Sequence, residues 1–300
     1  GQQLSTFAEL TESILLDLSG YTSDQDQATY LTAGIDSDDL TFMVADATSS
    51  SRGIVEIGDE LIWVDSVDQS SLQAVVPPYG RGYRGSTAAA HAAGSKVASA
   101  PLFPRKSVKD AINATIDSLY PTLWGVGITT FTYSSGVYTY PMPADTIGVL
   151  AVTWQDYDVA TEWNTVKRYD FNATADSTTF PTTCSITLGE LIVPGRTVRV
   201  VYQKIPTRLS ADADDFVNTT GLLSSVEDLI RDGAESRLIA RVDATHMQVN
   251  SAEADFANQR VTNPAVGLSR YLFQRYQVGL QQEAERLNQM YPVRVRYTTS

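Results

Sequence analysis

Cysteine is almost missing from this chain. Its 300 residues include one, Cys184, so neither an internal disulfide nor a cysteine-built metal site can form. The surrounding Cys184-Ser185-Ile186-Thr187-Leu188 alternates like a strand, which points to burial. Histidine is nearly as scarce, with His91 and His246 alone. Long apolar runs are also missing. None approaches the ~20 residues that a membrane-spanning helix needs, so no membrane partner is expected. Positive charge is in deficit, with 22 Lys and Arg against 35 Asp and Glu and a net charge of −13. A protein that binds nucleic acid on its own usually carries the opposite sign. The deficit is uneven. From Ala257 onward, Arg260, Arg270, Arg275, Arg286, Arg294 and Arg296 outnumber Glu283 and Glu285. A basic tail on an acidic body suggests that the two ends face different partners, or that copies meet head to tail.

What remains is a folded composition, 43% hydrophobic and 19% charged, long enough for two or three packed units. Thr6 and Glu9 have capping-box spacing, and Phe7, Leu10, Ile14 and Leu18 recur at helical intervals. An acidic stretch through Asp24, Asp26, Asp36, Asp38 and Asp39 reads as loop or turn. From Leu40 the period changes to two. Residues 40–44, 53–58, 60–64 and 71–76 read as strands, and Lys96-Val97-Ala98 closes a small all-β module over 40–100. Ser107 is placed to cap a helix with Val108, Ile112, Ile116 and Leu119 on its apolar face. A second β region, 127–206, has a hairpin candidate at Tyr133–Tyr138. Ile147–Trp154 suits a strand covered on both faces, and Thr197–Tyr202 alternates. Short strands separated by Pro and Gly corners suggest a sandwich. Ser224 with Glu227 forms another capping box, a loop is expected over 244–263, and a last helix follows over 266–290. Phe273, Tyr276, Leu280, Ala284, Leu287 and Tyr291 repeat along that helix at spacings of three and four. The segment Pro292–Tyr297 is strand-like, and such a lone strand commonly adds to a sheet edge, its own or a neighbour's.

Candidate chemistry is thin. The stretch RGYRGSTAAAHAAGSKV, Arg81–Val97, concentrates glycine, alanine and His91. It lacks the Gly-Lys-Ser/Thr ending of a phosphate-binding loop and the strand–loop–helix context of a dinucleotide fingerprint. Ser86 and Thr87 beside His91 have no orienting acid nearby in sequence, so a nucleophilic triad is disfavoured. The simpler reading is a turn motif of Arg81, Gly82, Gly85, His91 and Gly94, with the imidazole bonded to backbone. The acid pairs Asp38-Asp39, Asp156 with Asp158, and Asp212 with Asp214-Asp215 could serve glycoside hydrolysis. They fit turns and helix caps better, and the last lacks the Gly and distal Glu of a calcium loop. Neither a cofactor nor a metal site is expected, and no catalytic residue is assigned. Aromatics are plentiful, 15 Tyr, 9 Phe and 4 Trp, and cluster in the second β region. They could stack sugars, but cross-strand packing is the favoured role.

Arg81-Gly82-x-x-Gly85-Ser86-x-Ala88-Ala89-x-His91-x-x-Gly94-x-x-Val97 resembles a β module that recurs in tailed-bacteriophage virion proteins, with Ser86 where threonine is commonest. The remaining order is a helix Val108–Trp124, the corner Tyr140-Pro141-x-Pro143-Ala144-Asp145, a Thr-Val-Arg-Val-Val-Tyr strand, Thr220-Gly221-Leu222 and two closing helices. Over roughly 102–290 it resembles phage head-to-tail adaptor (connector, neck) proteins. The resemblance implies an α+β fold in which a helical bundle is interrupted by a β-sandwich. The bundle would comprise 1–20, 102–126 and 219–290, and the sandwich 127–206. The module at 40–100 would be an insertion, and 291–300 a C-terminal strand arm. It also implies a non-catalytic ring, usually of twelve copies, at the head–tail junction of the virion. Its partners would be the portal protein, a tail or stopper/nozzle protein, and itself, with DNA passing through without specific binding. Tyr291, Val293, Val295 and Tyr297 are the candidate arm contacts. Phe273, Tyr276, Leu280 and Leu287 are candidate anchors between copies, or ordinary intramolecular packing. The alternative is a tail, baseplate or fibre module that binds cell-surface carbohydrate.

Overall fold

The computed structural model describes residues 5–21, 27–156, 162–253 and 264–292. It divides into an N-terminal unit, 8–114 with 231–275, and a central unit, 1–7 with 115–230 and 276–300.

The N-terminal unit begins with α1 (Phe7–Asp17), whose Leu10, Ile14 and the following Leu18 are buried. These are the residues whose helical spacing marked the apolar face. Strand β1 (Gln27–Tyr30) comes next, inside the acidic stretch that composition assigned to loop. Four residues of mixed polarity carry too little periodicity to announce a strand. β1 is fixed instead by antiparallel pairing with β7 (Lys96–Ser99), Gln27 opposite Ser99 and Tyr30 opposite Lys96. The strands between are β2 (Thr41–Met43), β3 (Gly53–Ile57), β4 (Glu60–Val64), β5 (Ser66–Asp68) and β6 (Gln73–Val75). They complete two antiparallel sheets, ordered β1-β7-β3-β4 and β2-β6-β5. Alternate residues from both sheets, among them Leu31, Phe42, Val55, Ile57, Ile62, Val64, Ala74 and Val97, form one buried core. Helix α2 (Arg105–Leu119) starts before Ser107, which lies within the helix instead of capping it. Its expected face, Val108, Ile112, Ile116 and Leu119, is fully buried.

The central unit is built from β8 (Gly125–Thr132), β9 (Thr139–Pro141), β10 (Thr146–Gln155), β11 (Trp163–Thr165), β12 (Tyr169–Asn172), β13 (Ser185–Leu188) and β14 (Thr197–Lys204). Their two sheets run β11-β10-β14-β8 and β12-β13-β9. Tyr133, Tyr140, Met142, Val152, Cys184, Ile186, Leu188, Val198 and Val200 share one core between them. The Tyr133–Tyr138 stretch is not a hairpin within one sheet. It carries the chain from β8 in one sheet to β9 in the other. The Tyr140 hydroxyl fixes this corner, accepting from the Ser134 amide at 2.9 Å and donating to the Val137 carbonyl at 3.0 Å. β10 is less enclosed than its composition suggested, with Val152 buried and Ile147 exposed. Gly127 is demanded by packing, since a Cβ there would lie 2.3 Å from the Tyr202 ring opposite.

Helix α3 (Phe216–Thr220) is capped by Asp215, which accepts from the Asn218 amide at 2.7 Å. It ends at Gly221 in the left-handed region, φ +77°. The Gly221 carbonyl accepts from Val126 at 2.7 Å and so pins the start of β8. Helix α4 (Glu227–Glu253) runs about ten residues past the point where a loop was expected, and α5 (Pro264–Met290) follows.

The expected fold class, a helical bundle interrupted by a β-sandwich, is therefore corrected. The described residues form a mixed chain of five α-helices and four antiparallel sheets, in about equal amounts, with no helical bundle evident. α4 and α5 do touch. A Cβ on Gly279 would lie 3.0 Å from Leu229, and Ser225 donates to Glu283 at 2.7 Å. Yet the two described cores are strand-built. An apolar helical stripe requires a cover, but its period does not say whether that cover is helix or sheet.

Candidate functional site

The Arg81–Val97 stretch folds around a carboxylate that sequence reading overlooked. The β3–β4 turn, with Gly58 at φ +61°, places Glu60 first in β4 with 1% of its surface exposed. Arg81 grips it with two prongs, Nε to Oε1 at 2.8 Å and Nη2 to Oε2 at 3.0 Å. The Gly82 amide donates to Oε1 at 3.0 Å and the Ala89 amide to Oε2 at 3.1 Å. His91 Nε2 lies 2.8 Å from Oε2. The rest of the guanidinium reaches the carbonyls of Asp36, Asp39 and Ala89 at 2.6, 2.9 and 2.7 Å. Burial pushes the Glu60 pKa up, but the bonds from Arg81, Gly82, His91 and Ala89 outweigh it and hold the group below the usual range.

The glycines serve this knot. Gly82 (φ +59°), Gly85 (φ +78°) and Gly94 (φ +85°) occupy the left-handed region, and so does the non-glycine Arg84 (φ +53°). A Cβ on Gly82 would meet the Ser86 carbonyl at 2.9 Å. Ser86 Oγ accepts from Leu61 at 2.9 Å, and the backbones of Ile35 and His91 exchange bonds at 2.9 Å. Both carboxylate oxygens are fully engaged, which suits a clamp and not a general base. The imidazole meets a carboxylate, where backbone was expected. The only available signal was an acid opening an otherwise apolar strand, Glu60-Leu61-Ile62-Trp63-Val64.

The other acid groups resolve differently. Asp214 accepts from the Ser210 and Ala211 amides at 2.7 and 2.8 Å, and Asp215 caps α3. No metal-holding cluster of His, Cys, Asp or Glu occurs among the described residues. In the N-terminal unit, Glu235 of α4 is buried. Burial, the charge and hydrogen bond of Asp17, and the charge of Asp232 together push it up to about 7, with Arg231 opposing. Asp232 is paired with Arg275.

The candidate contact residues separate. Tyr276 and Leu287 are buried, at 6% and 3% exposure, and Leu280 is half-buried. The Tyr276 hydroxyl lies 3.1 Å from Ser118 Oγ. Phe273 is 48% exposed. Tyr291 leans on Trp124, ring centres 5.8 Å apart, beside a cavity of about 500 Å³ also lined by Val149, Ala151, Gln203 and Pro292. Val293, Val295 and Tyr297 lie outside the described residues. Exposed apolar side chains that sequence reading did not single out are Ile128 at 63% and Leu191 at 86%. In the aromatic-rich region, Tyr133 and Tyr140 are buried, Tyr140 stacks on Phe131 at 4.1 Å, and Arg199 covers Trp163 at 4.2 Å.

Among the described residues the Glu60 knot is structural, and the comparison with known families points to a structural protein. The model of the SU10 adaptor protein family matches residues 87–296. The chain belongs to the SU10 adaptor protein family. No curated protein matches it. SU10 adaptors are phage structural adaptors, components of the virion, and not an enzyme class. The SU10 match opens inside the glycine-rich motif, at Thr87. It takes in His91, Gly94 and everything from α2 to α5, and leaves Glu60, Arg81 and strands β1–β6 outside. No helix of the described residues is long and apolar enough to cross a membrane.

Proposed function

We propose that this SU10 adaptor assembles as a ring, of about twelve copies by its resemblance to head-to-tail adaptors, which joins the capsid portal to the tail and surrounds the DNA exit channel. Membership of the adaptor family carries the reading. The net charge of −13 supports it. An acidic channel wall repels phosphates, so the genome slides past without sticking. The locally basic C-terminal stretch complements acidic surfaces on a neighbouring copy or on the portal. Phe273, Ile128 and Leu191 offer apolar anchors of the kind that interfaces bury. The β module is held by the Glu60 clamp, and its strands β2–β6 precede the region that matches the adaptor family. The carbohydrate reading is weakened, because Tyr133 and Tyr140 are spent on the core.

The test is negative-stain imaging of purified virions carrying a gold label at Ser300. Label at the collar is expected. Label at the tail tip rejects the junction role.

A further inference from the structure

Among the described residues, the outer edge of β8 is open beyond Val126. Val126 sends its amide to Gly221, away from β14, at 2.7 Å. Tyr133, an odd number of residues on, sends its amide to Arg196 on the β14 side at 2.8 Å. The antiparallel ladder alternates strictly, so Ile128, Thr130 and Thr132 turn their N–H and C=O groups outward. Among the described residues no backbone group meets them. Exposed edges are normally blunted by charge, proline or a bulge. β8, Gly125–Thr132, has none of these, pairs with β14 over its whole length without a shift, and exposes Ile128.

We propose that this edge receives residues 293–297 of a second copy of the chain as an added strand. The inference rests on the ring reading and specifies how neighbouring copies join. The segment Val293-Arg294-Val295-Arg296-Tyr297 alternates apolar and basic residues with a period of two, the pattern of a strand with one face covered. Val293, Val295 and Tyr297 would continue the apolar surface that Ile128 begins. The donor is a second copy because of where the chain leaves the described residues. Pro292 lines the cavity over Val149, Leu150 and Ala151 of β10 and Gln203 of β14. In sheet order, β14 separates β10 from β8. With strands ~4.8 Å apart and ~3.3 Å gained per residue, crossing to its own outer edge uses three or four residues. Of residues 293–297, one or two then remain, too few for this alternating segment to lie along Ile128–Thr132 of its own chain. Arm and edge are different surfaces of one chain, so each copy donates to one neighbour and accepts from the other. Such head-to-tail contacts close into a ring when the rotation from copy to copy divides a full turn.

The test uses virions carrying full-length chain with Thr130→Cys and Val295→Cys together. The native Cys184 is buried and stays in place. After mild oxidation, a non-reducing gel is expected to show a ladder of disulfide-linked multimers, lost in either single variant. A monomer band of altered mobility, meaning a bond within one chain, overturns the inference, and so does the absence of any crosslink. Imaging the same particles keeps the two levels apart. A collar ring without a ladder rejects strand addition and leaves the ring reading intact, whereas no ring rejects that reading itself. Thr130→Pro is the second variant, since its lost N–H faces away from β14. It should abolish incorporation into particles while leaving the melting temperature of the purified chain unchanged. Normal incorporation overturns the proposal.

Discussion

Replacing Arg81 with alanine would strand a buried carboxylate. Glu60 would keep the Gly82 and Ala89 amides and His91 but lose both prongs of the guanidinium. Breaking a buried ion pair from one side typically costs about 3–5 kcal/mol. The carbonyls of Asp36 and Asp39 also lose the donor they share. Against a typical domain stability of roughly 5–15 kcal/mol, that is a large fraction. At ~2–4 °C per kcal/mol for a unit of this size, the melting temperature should fall by about 10 °C. The direct assay is denaturant unfolding with hydrogen exchange read at β1, β4 and β7, so that the N-terminal unit is followed by itself. Arg81→Lys should recover less than half of the loss, because an ammonium cannot make the two-pronged contact and reach three carbonyls as well. The pH dependence gives a second readout. Glu60 is held below its usual pKa, so its contribution is present at neutral pH and lost as pH falls through the folded-state value. In Arg81→Ala that acid limb should move to higher pH. A loss under about 1 kcal/mol with an unmoved acid limb would refute the clamp.

Glu235 titrates in the opposite sense. Its folded pKa is about 7 against the ordinary 4.5, so below pH 4.5 both folded and unfolded states hold the proton. Between 4.5 and 7 the unfolded chain releases it first, and stability should fall as pH rises, by at most roughly 3 kcal/mol. Glu235→Gln should flatten that slope and stabilise the chain at pH 8 but not at pH 4, as read from unfolding midpoints at both values. A parallel loss at both would contradict the assignment. Gly127→Ala forces a Cβ into the Tyr202 ring, so it should cost about 1–3 kcal/mol and be relieved by Tyr202→Ala in a double-mutant cycle. Tyr140→Phe removes the hydroxyl that accepts from Ser134 and donates to Val137. A cost of about 1–2 kcal/mol is expected in thermal unfolding, with faster amide exchange at Ser134.

Periodicity and turn residues, which act over a few neighbours, were enough to determine the local elements. The buried face of α2, the Leu10–Ile14–Leu18 face at the start, and the strands of the 40–100 stretch other than β5 follow from spacings of 3.6 and 2. The glycines of Arg81–Val97 announced turns for the same reason, because their constraint sits in one residue's own backbone. Tertiary structure decided what those faces meet. It carried the Tyr133–Tyr138 turn between two sheets, paired β1 with a strand some seventy residues away, covered apolar helical faces without a bundle, and brought Glu60 to Arg81 and His91. Each of these depends on which distant segments come together. That choice is governed by the burial and hydrogen bonding of the whole chain, and no short stretch of sequence contains it.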